Sequence, residues 1–371
     1  MTKLEQMIKE LCPNGVEYFA IKDVFTRLKG TPITAAKMKE IDNSDGEIRI
    51  FAGGKTVINA HEKDIPNANI TRVPAVLVQS RGVIDFIFYE CPFTFKNEMW
   101  AYTSENRITV KYLYYVLQNN TQHFRDSASG MGSLPQISLH VTEDFKIPLP
   151  PLKIQEEIVR ILDNFTELTA ELTAELTARK KQYEYYRDHL LLENENAEVK
   201  VVLLEDVCRF KYGKGNTIPK ETGIYPVYGC NGVVGTANEY NSEDTPIIGH
   251  IGSAGIVNWG NGKHFVTYNG TICISNSTMI ISKYTYYLLK SLHLEKLVKG
   301  NQPFLSYGDY AKVKIPLPPI SEQSRIVNIL DRFDKLCNDI SNGLPAEIEA
   351  RKKQYEYYRD RLLAFKEEHR S

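Results

Sequence analysis

The sequence contains no long apolar run. Its longest apolar stretches, such as "VPAVLV" at 73–78, fall far short of the ~20 residues of a membrane-crossing helix, so no such helix is expected. An excess of either charge is missing as well. The chain carries 45 Lys and Arg against 46 Asp and Glu, a net charge of −1, which excludes a uniformly basic nucleic-acid binder but leaves room for local basic surfaces. Six cysteines (Cys12, Cys91, Cys208, Cys230, Cys273, Cys337) lie scattered with no C-x-x-C, so they read as reduced thiols rather than zinc ligands or a disulfide frame. The opening "MTKLEQMIKELCPNG" is charged and amphipathic without an apolar signal core, and a cytoplasmic location is expected.

Catalytic motifs are lacking too. "HEKD" at His61 has no second histidine four residues on, and "GGKT" at 53–56 has Arg49 where a phosphate-binding loop needs its first glycine. "GNGKHF" and "YGKGNT" are not G-x-G-x-x-G. No "NPPY" or "DPPY" is present to grip a target amine, and Asp144-Phe145-Lys146 is only half of a nuclease triad, better read as a loop. No catalytic residue and no metal site is assigned.

What the sequence does have is repetition, which decides the architecture. "ARKKQYEYYRD" occupies 178–188 and returns, letter for letter, at 350–360. Upstream, "FKIPLPPLKIQEEIVRILDNF" (145–165) matches "VKIPLPPISEQSRIVNILDRF" (313–333) at an offset of 168. Farther upstream, "FAGGKTVI" (51–58) resembles "YGCNGVVG" (228–235), and "AVLVQSRGVI" (75–84) resembles "PIIGHIGSAGIV" (246–257). The chain is therefore unit, helix, unit, helix.

Within each unit, β-branched and aromatic runs broken by glycine predict short strands and tight turns. Helical patterns such as "KYLYYVLQNN" (111–120) and "KYTYYLLKSLHLEKLV" (283–298) come late. The expected fold class is α+β: two similar globular domains joined by two long antiparallel coiled-coil helices, an internal pseudo-twofold repeat. Expected boundaries are 1–147 for the N-terminal helix and first domain, 148–196 for the central helix, 197–315 for the second domain and 316–371 for the distal helical region.

In the central helix the apolar seam runs Ile161, Phe165, Leu168, Leu172, Leu176, then Arg179, Tyr183, Tyr186 and Leu190, heptad spacing with one stutter at the "TAEL" units. Tyr183, Tyr186, Tyr355 and Tyr358 are assigned to the seam. Gly343 and Pro345 should break the distal helix, since proline removes a donor and clashes with the preceding turn. An antiparallel pair of about 35 residues, roughly 50 Å long, would hold the two domains apart like the ends of a ruler.

The duplicated "IPLPP" helix, "TAELTAEL" and "ARKKQYEYYRD" resemble the DNA-specificity (S) subunits of bacterial type I restriction-modification systems, over almost the whole chain. That resemblance implies two target-recognition domains, each reading half of a split double-stranded DNA target. It implies two helices docking two methyltransferase (M) subunits, which hold S-adenosylmethionine. Restriction (R) subunits, which use ATP and Mg, would join through the complex. No cofactor is expected in this chain, and no membrane contact.

Recognition domains vary within the family, so no base contact carries over residue by residue. The candidates are basic, amide and imidazole side chains on the glycine-rich turns, the types that read base edges. They are Lys55, Gln79, Arg81 and Lys96 in the first unit and Lys214, Asn231, His250 and Lys263 in the second. Tyr185, Arg187, Tyr357 and Arg359, off the seam, are the candidate partner surface. Two other classes compete with this reading: a self-sufficient methyltransferase or nuclease, which the missing motifs oppose, and a structural coiled-coil scaffold without a DNA role.

Overall fold

The computed structural model describes residues 3–129, 134–192, 199–215, 222–298, 303–339 and 342–368. By contacts the chain divides into Met1–Glu171 with Glu349–Ser371, and Leu172–Ile348. Both boundaries fall inside helices, so each compact unit owns part of the central helix (Leu152–Leu192) and part of the distal region.

In the first unit, β1 (Tyr18–Ala20) pairs antiparallel with β9 (Lys146–Pro148) just before the central helix begins. A four-stranded sheet has the order β2 (Thr26–Lys29), β8 (Trp100–Thr103), β5 (Ala75–Gln79), β6 (Asp85–Tyr89). A second sheet sets β3 (Ile48–Phe51) between β4 (Val57–Ala60) and, in parallel, β7 (Phe93–Phe95). The apolar run "AVLVQ" makes β5 a central strand buried on both faces. Val76 and Val78 join a core with Phe86, Tyr102 and the helix Arg107–Asn119, while Ala75 and Leu77 meet Phe51, Phe93 and Phe95. The side chain of Asn106 caps that helix, accepting from the backbone N–H of Ile108 at 2.8 Å.

The second unit repeats this plan. β10 (Lys200–Leu203) pairs with β17 (Lys314–Leu317) before the distal helix. One six-stranded sheet runs β11 (Cys208–Tyr212), β16 (Gly270–Ser275), β14 (Ser242–Gly249), β15 (Val257–Val266), β12 (Tyr225–Gly229), β13 (Gly232–Ala237). Strands β11, β16, β14 and β15 follow the order of β2, β8, β5 and β6. The parallel β12–β15 contact then takes the place of β3–β7. A single strand, β15, thus does the work of both β6 and β7. Pro92 interrupts the first unit at that point, whereas "WGNGKHF" bends without a break. A Cβ on Gly260 would strike the ring of His264, so only glycine allows the bend.

The expected helical seam is present within each unit. In the first, Phe165 stacks on Tyr358 with centroids 5.6 Å apart and meets Tyr355 edge-on at 6.4 Å. In the second, Phe333 lies 6.4 Å from Tyr183 and 6.2 Å from Tyr186. The helix segments are antiparallel in both. Ile154, Ile158, Val159 and Leu162, by contrast, turn into the first domain's core. The distal region is not one long helix but two, Ile320–Asn338 and Leu344–Leu362, broken where Gly343 and Pro345 stand.

Gly343 makes its close approach without room for a side chain, because a Cβ there would stand 2.5 Å from the Lys335 carbonyl oxygen. Gly308→Ala serves as the contrast, since its Cβ would meet nothing nearer than Ser306 Oγ at 3.5 Å. Urea unfolding should show Gly343→Ala destabilised by about 1–3 kcal/mol. Gly308→Ala should come out neutral or stabilised by up to about 1 kcal/mol, since alanine restricts the unfolded chain.

Candidate nucleic-acid interface

In the first unit, three turns, two of them containing glycine, converge at one end of the sheets. Lys55 ends the exposed Gly53–Lys55 turn between β3 and β4, held at φ 69°. Arg81 follows β5 and is exposed, its backbone bridged to Gln136. Lys96 follows β7 and pairs with Glu98 at 3.0 Å. Gly53, Gly54, Arg81, Gly82 and Glu98 line a common cavity of about 490 Å³. Glu98 also borders an adjoining cavity of about 660 Å³, whose lining includes Arg27, Lys29, Asn69, Asn97 and Gln136. The sequence does not single out these five, because they are scattered over β2 and three distant loops with no local pattern.

The second unit brings the equivalent turns together. Asn231 is exposed in the β12–β13 turn, the counterpart of Gly53–Lys55. The Gly249–Gly252 turn, the counterpart of the one at Arg81, packs against neighbouring Cys230. Exposed Lys214 joins them: its N–H donates to the Val266 carbonyl at 2.9 Å, and Tyr268 N–H donates to Gly215 at 2.9 Å.

Three candidates lie elsewhere. Gln79 is buried at 3% exposure, because β5 is covered on both faces. His250, at 1% exposure, sits among the rings of Tyr212, Tyr268 and Phe304, and its Nδ1 bonds the Leu305 carbonyl at 2.7 Å. Neither side chain reaches solvent in this conformation, so both are corrected from surface readers to core residues that hold the turns. Lys263 is exposed but stands at the far end of the β14–β15 ladder, opposite Glu243, its ammonium 4.8 Å from the Tyr240 ring centroid.

The candidate partner surface divides in the same way in each unit. Tyr185 and Tyr357 are exposed, at 64% and 56%. Arg187 is buried, its Nε donating to Ser291 Oγ at 3.1 Å, and Arg359 likewise donates to Asn119 Oδ1 at 2.7 Å. Both arginines therefore point into their own unit. The clusters supply cationic and amide donors suited to phosphates and base edges. Among the described residues no group of three potential metal ligands assembles, and no helix is long and apolar enough to cross a membrane.

Comparison with known proteins bears on this geometry. The model of the type I restriction modification DNA specificity domain matches twice, at residues 13–179 and 196–350. The Escherichia coli type I restriction enzyme EcoR124I/EcoR124II specificity subunit is 32% identical over 358 residues, covering 86% of this chain and 87% of the relative. A putative type I specificity subunit of Mycoplasma pneumoniae, S.MpnORF365P, is 33% identical over 255 residues, covering 64% of this chain and 93% of its own length. The crystal structure of a type I S subunit from M. genitalium shares the fold with a TM-score of 0.67 at 19% identity, covering 94% of this chain and 96% of that one.

His264, beside Lys263 on β15 and outside the cluster, supplies a pH test of the second domain's packing. Burial pulls its pKa below the ordinary imidazole value, although Asp244 and Glu243 oppose this. The unfolded chain therefore takes up a proton near pH 6.5 that the folded one resists. The resulting stability is complete above about pH 6.5 and is lost as the pH falls through that region. Melting temperatures measured between about pH 7.5 and 5.5 should decline more steeply for the native chain than for His264→Gln.

Proposed function

Because the chain belongs to the type I restriction-modification DNA-specificity family, we propose that it is the non-catalytic subunit that reads a two-part DNA target, one half with each recognition domain. Two methyltransferase subunits dock on the duplicated helices, and restriction subunits join through them. S-adenosylmethionine then belongs to the first partner, and ATP with magnesium to the second.

The observation that carries this reading is duplication with divergence. Both units present the same turns, but one offers Lys55, Arg81 and Lys96 and the other Lys214 and Asn231. The helices keep "RKKQYEYYRD" unchanged, and Tyr185 and Tyr357 expose equivalent rings on them. Two unlike half-targets with two like partners call for this combination. Tyrosine suits the partner face because a large ring with a polar tip is enriched at protein interfaces.

Alanine substitutions separate base reading from backbone attachment. Losing a base contact at Arg81 or Asn231 should cost about 1–3 kcal/mol and relax the target at one position. Losing a phosphate contact at Lys55, Lys96 or Lys214 should weaken all sequences alike and reduce the salt slope by about one. Duplex binding titrations across salt check both; binding unaltered in all five variants would place the reading face elsewhere.

The central helix runs unbroken through "TAELTAEL" at 169–176, which fits a ruler between the half-targets. Four helical residues add about 6 Å and a net turn of roughly 40°. One base pair advances about 3.4 Å and about 34°. Deleting one "TAEL" should shorten the spacer by about one base pair with both half-sites kept, whereas deleting two residues turns the stripe by about 200° and abolishes docking. Methylation mapping of the complex with its methyltransferase subunit tests this, and an unchanged spacer would refute it.

A further inference from the structure

Each recognition domain rests on the helices through one helix of its own, and the polar contacts of that helix are duplicated. In the first unit, Asp163 of the central helix receives the Tyr115 hydroxyl and the Lys111 ammonium, the latter at 2.8 Å. In the second, Asp331 of the distal region receives the Tyr287 hydroxyl at 2.5 Å and faces the Lys283 ammonium at 3.9 Å. The lysines also lie near aromatic faces, Lys111 by Phe88 at 5.2 Å and Lys283 by Trp259 at 4.3 Å. At the other end of the same helices, Arg359 bonds Asn119 and Arg187 bonds Ser291. Lys111, Tyr115, Asn119 and Arg187 stand 172 residues before Lys283, Tyr287, Ser291 and Arg359, and Asp163 stands 168 before Asp331.

These contacts do more than cover apolar surface. Tyr115 and Tyr287 are buried, while Asp163 and Asp331 remain partly open to solvent. Burial and the carboxylate both push the tyrosine hydroxyls far above their ordinary range, so each stays a donor. Apolar packing has no direction and tolerates sliding, whereas hydrogen bonds to charged groups fix distance and angle. The anchor points on each recognition helix, Tyr115 and Asn119 or Tyr287 and Ser291, lie about 6 Å apart along its axis. They attach to segments of different helices, one central and one distal. Such an arrangement resists both sliding and rotation.

We propose that Lys111–Tyr115–Asp163 with Asn119–Arg359, and Lys283–Tyr287–Asp331 with Ser291–Arg187, are positioning latches that set each recognition domain at one pitch on its helix seat and so restrict the protein to one spacer length. This rests on the two-part target reading above. The latch residues touch no DNA in this account; they act through the domain they hold.

The test uses the complete complex with its methyltransferase subunit and maps methylated sites. Tyr115→Phe with Asp163→Asn should leave both half-site sequences unchanged. Methylation at spacers one base pair shorter or longer should rise at least tenfold over the native complex. Tyr287→Phe with Asp331→Asn should do the same from the other unit. Val159→Ala, which trims a buried apolar contact beside the first latch, should lower the melting temperature but keep the single spacer. A single spacer in both latch variants, or equal relaxation in Val159→Ala, would overturn the latch. A native complex with no two-part target would overturn the functional reading and the latch with it. Native two-part sites with unaltered latch variants would overturn the latch alone.

Discussion

A helix of 41 residues with apolar positions on more than one face is stable in water only where those faces are covered, and the central helix meets this requirement twice. Its first turns send Ile154, Ile158 and Leu162 into the first domain, while Phe165 faces Tyr355 and Tyr358. Its last turns send Tyr183 and Leu191 into the second domain's core, where Phe333 supplies the matching ring. Neither globular domain completes its core without segments of both long helical regions. That is why the compact units are cut across the helices rather than at the loops.

The proline runs create a second demand. "IPLPP" turns the chain from the last strand into a long helix, and its prolines offer carbonyls without N–H groups to pair in return. Both copies answer with the same side chains. Gln155 donates to the Pro150 carbonyl at 2.7 Å and Gln323 to that of Pro318 at 2.9 Å. Tyr112 donates to Pro148 at 3.1 Å, and Tyr284 approaches Pro316 at 3.5 Å. A buried acceptor left unpaired costs about 1–3 kcal/mol, so these bonds help keep the duplicated joint uniform while the domains diverge.

Divergence is concentrated where the joint does not constrain the chain. The first domain splits its outer strands at Pro92, and the second carries one bent strand through Gly260 and Gly262. The turns between strands then differ freely, because their side chains face solvent and their backbones hang on a common sheet. The joint thus stays constant in both units while the turns change.

The sequence by itself determined the repeat, the two α+β units, the heptad seam with its tyrosines, the distal break at Gly343 and Pro345, and the family. Each of these follows from identity, spacing or a local backbone rule that a neighbour elsewhere in the fold does not overrule. The latch was partly visible too, since "KYLYY" and "KYTYY" recur and Asp163 and Asp331 lie within the duplicated "ILD". Only the tertiary structure decided which polar side chains face water. Gln79 ends a strand and His250 follows one, next to turns like those of Arg81 and Asn231, yet a second layer covers the strand carrying Gln79, and three aromatic rings close over His250. Arg187 and Tyr185 are two residues apart on one helix, and packing of the second unit's recognition helix, through Ser291, buries Arg187 and leaves Tyr185 exposed. Burial is set by what packs on a residue from distant parts of the chain, and one residue's neighbours in sequence carry no record of that.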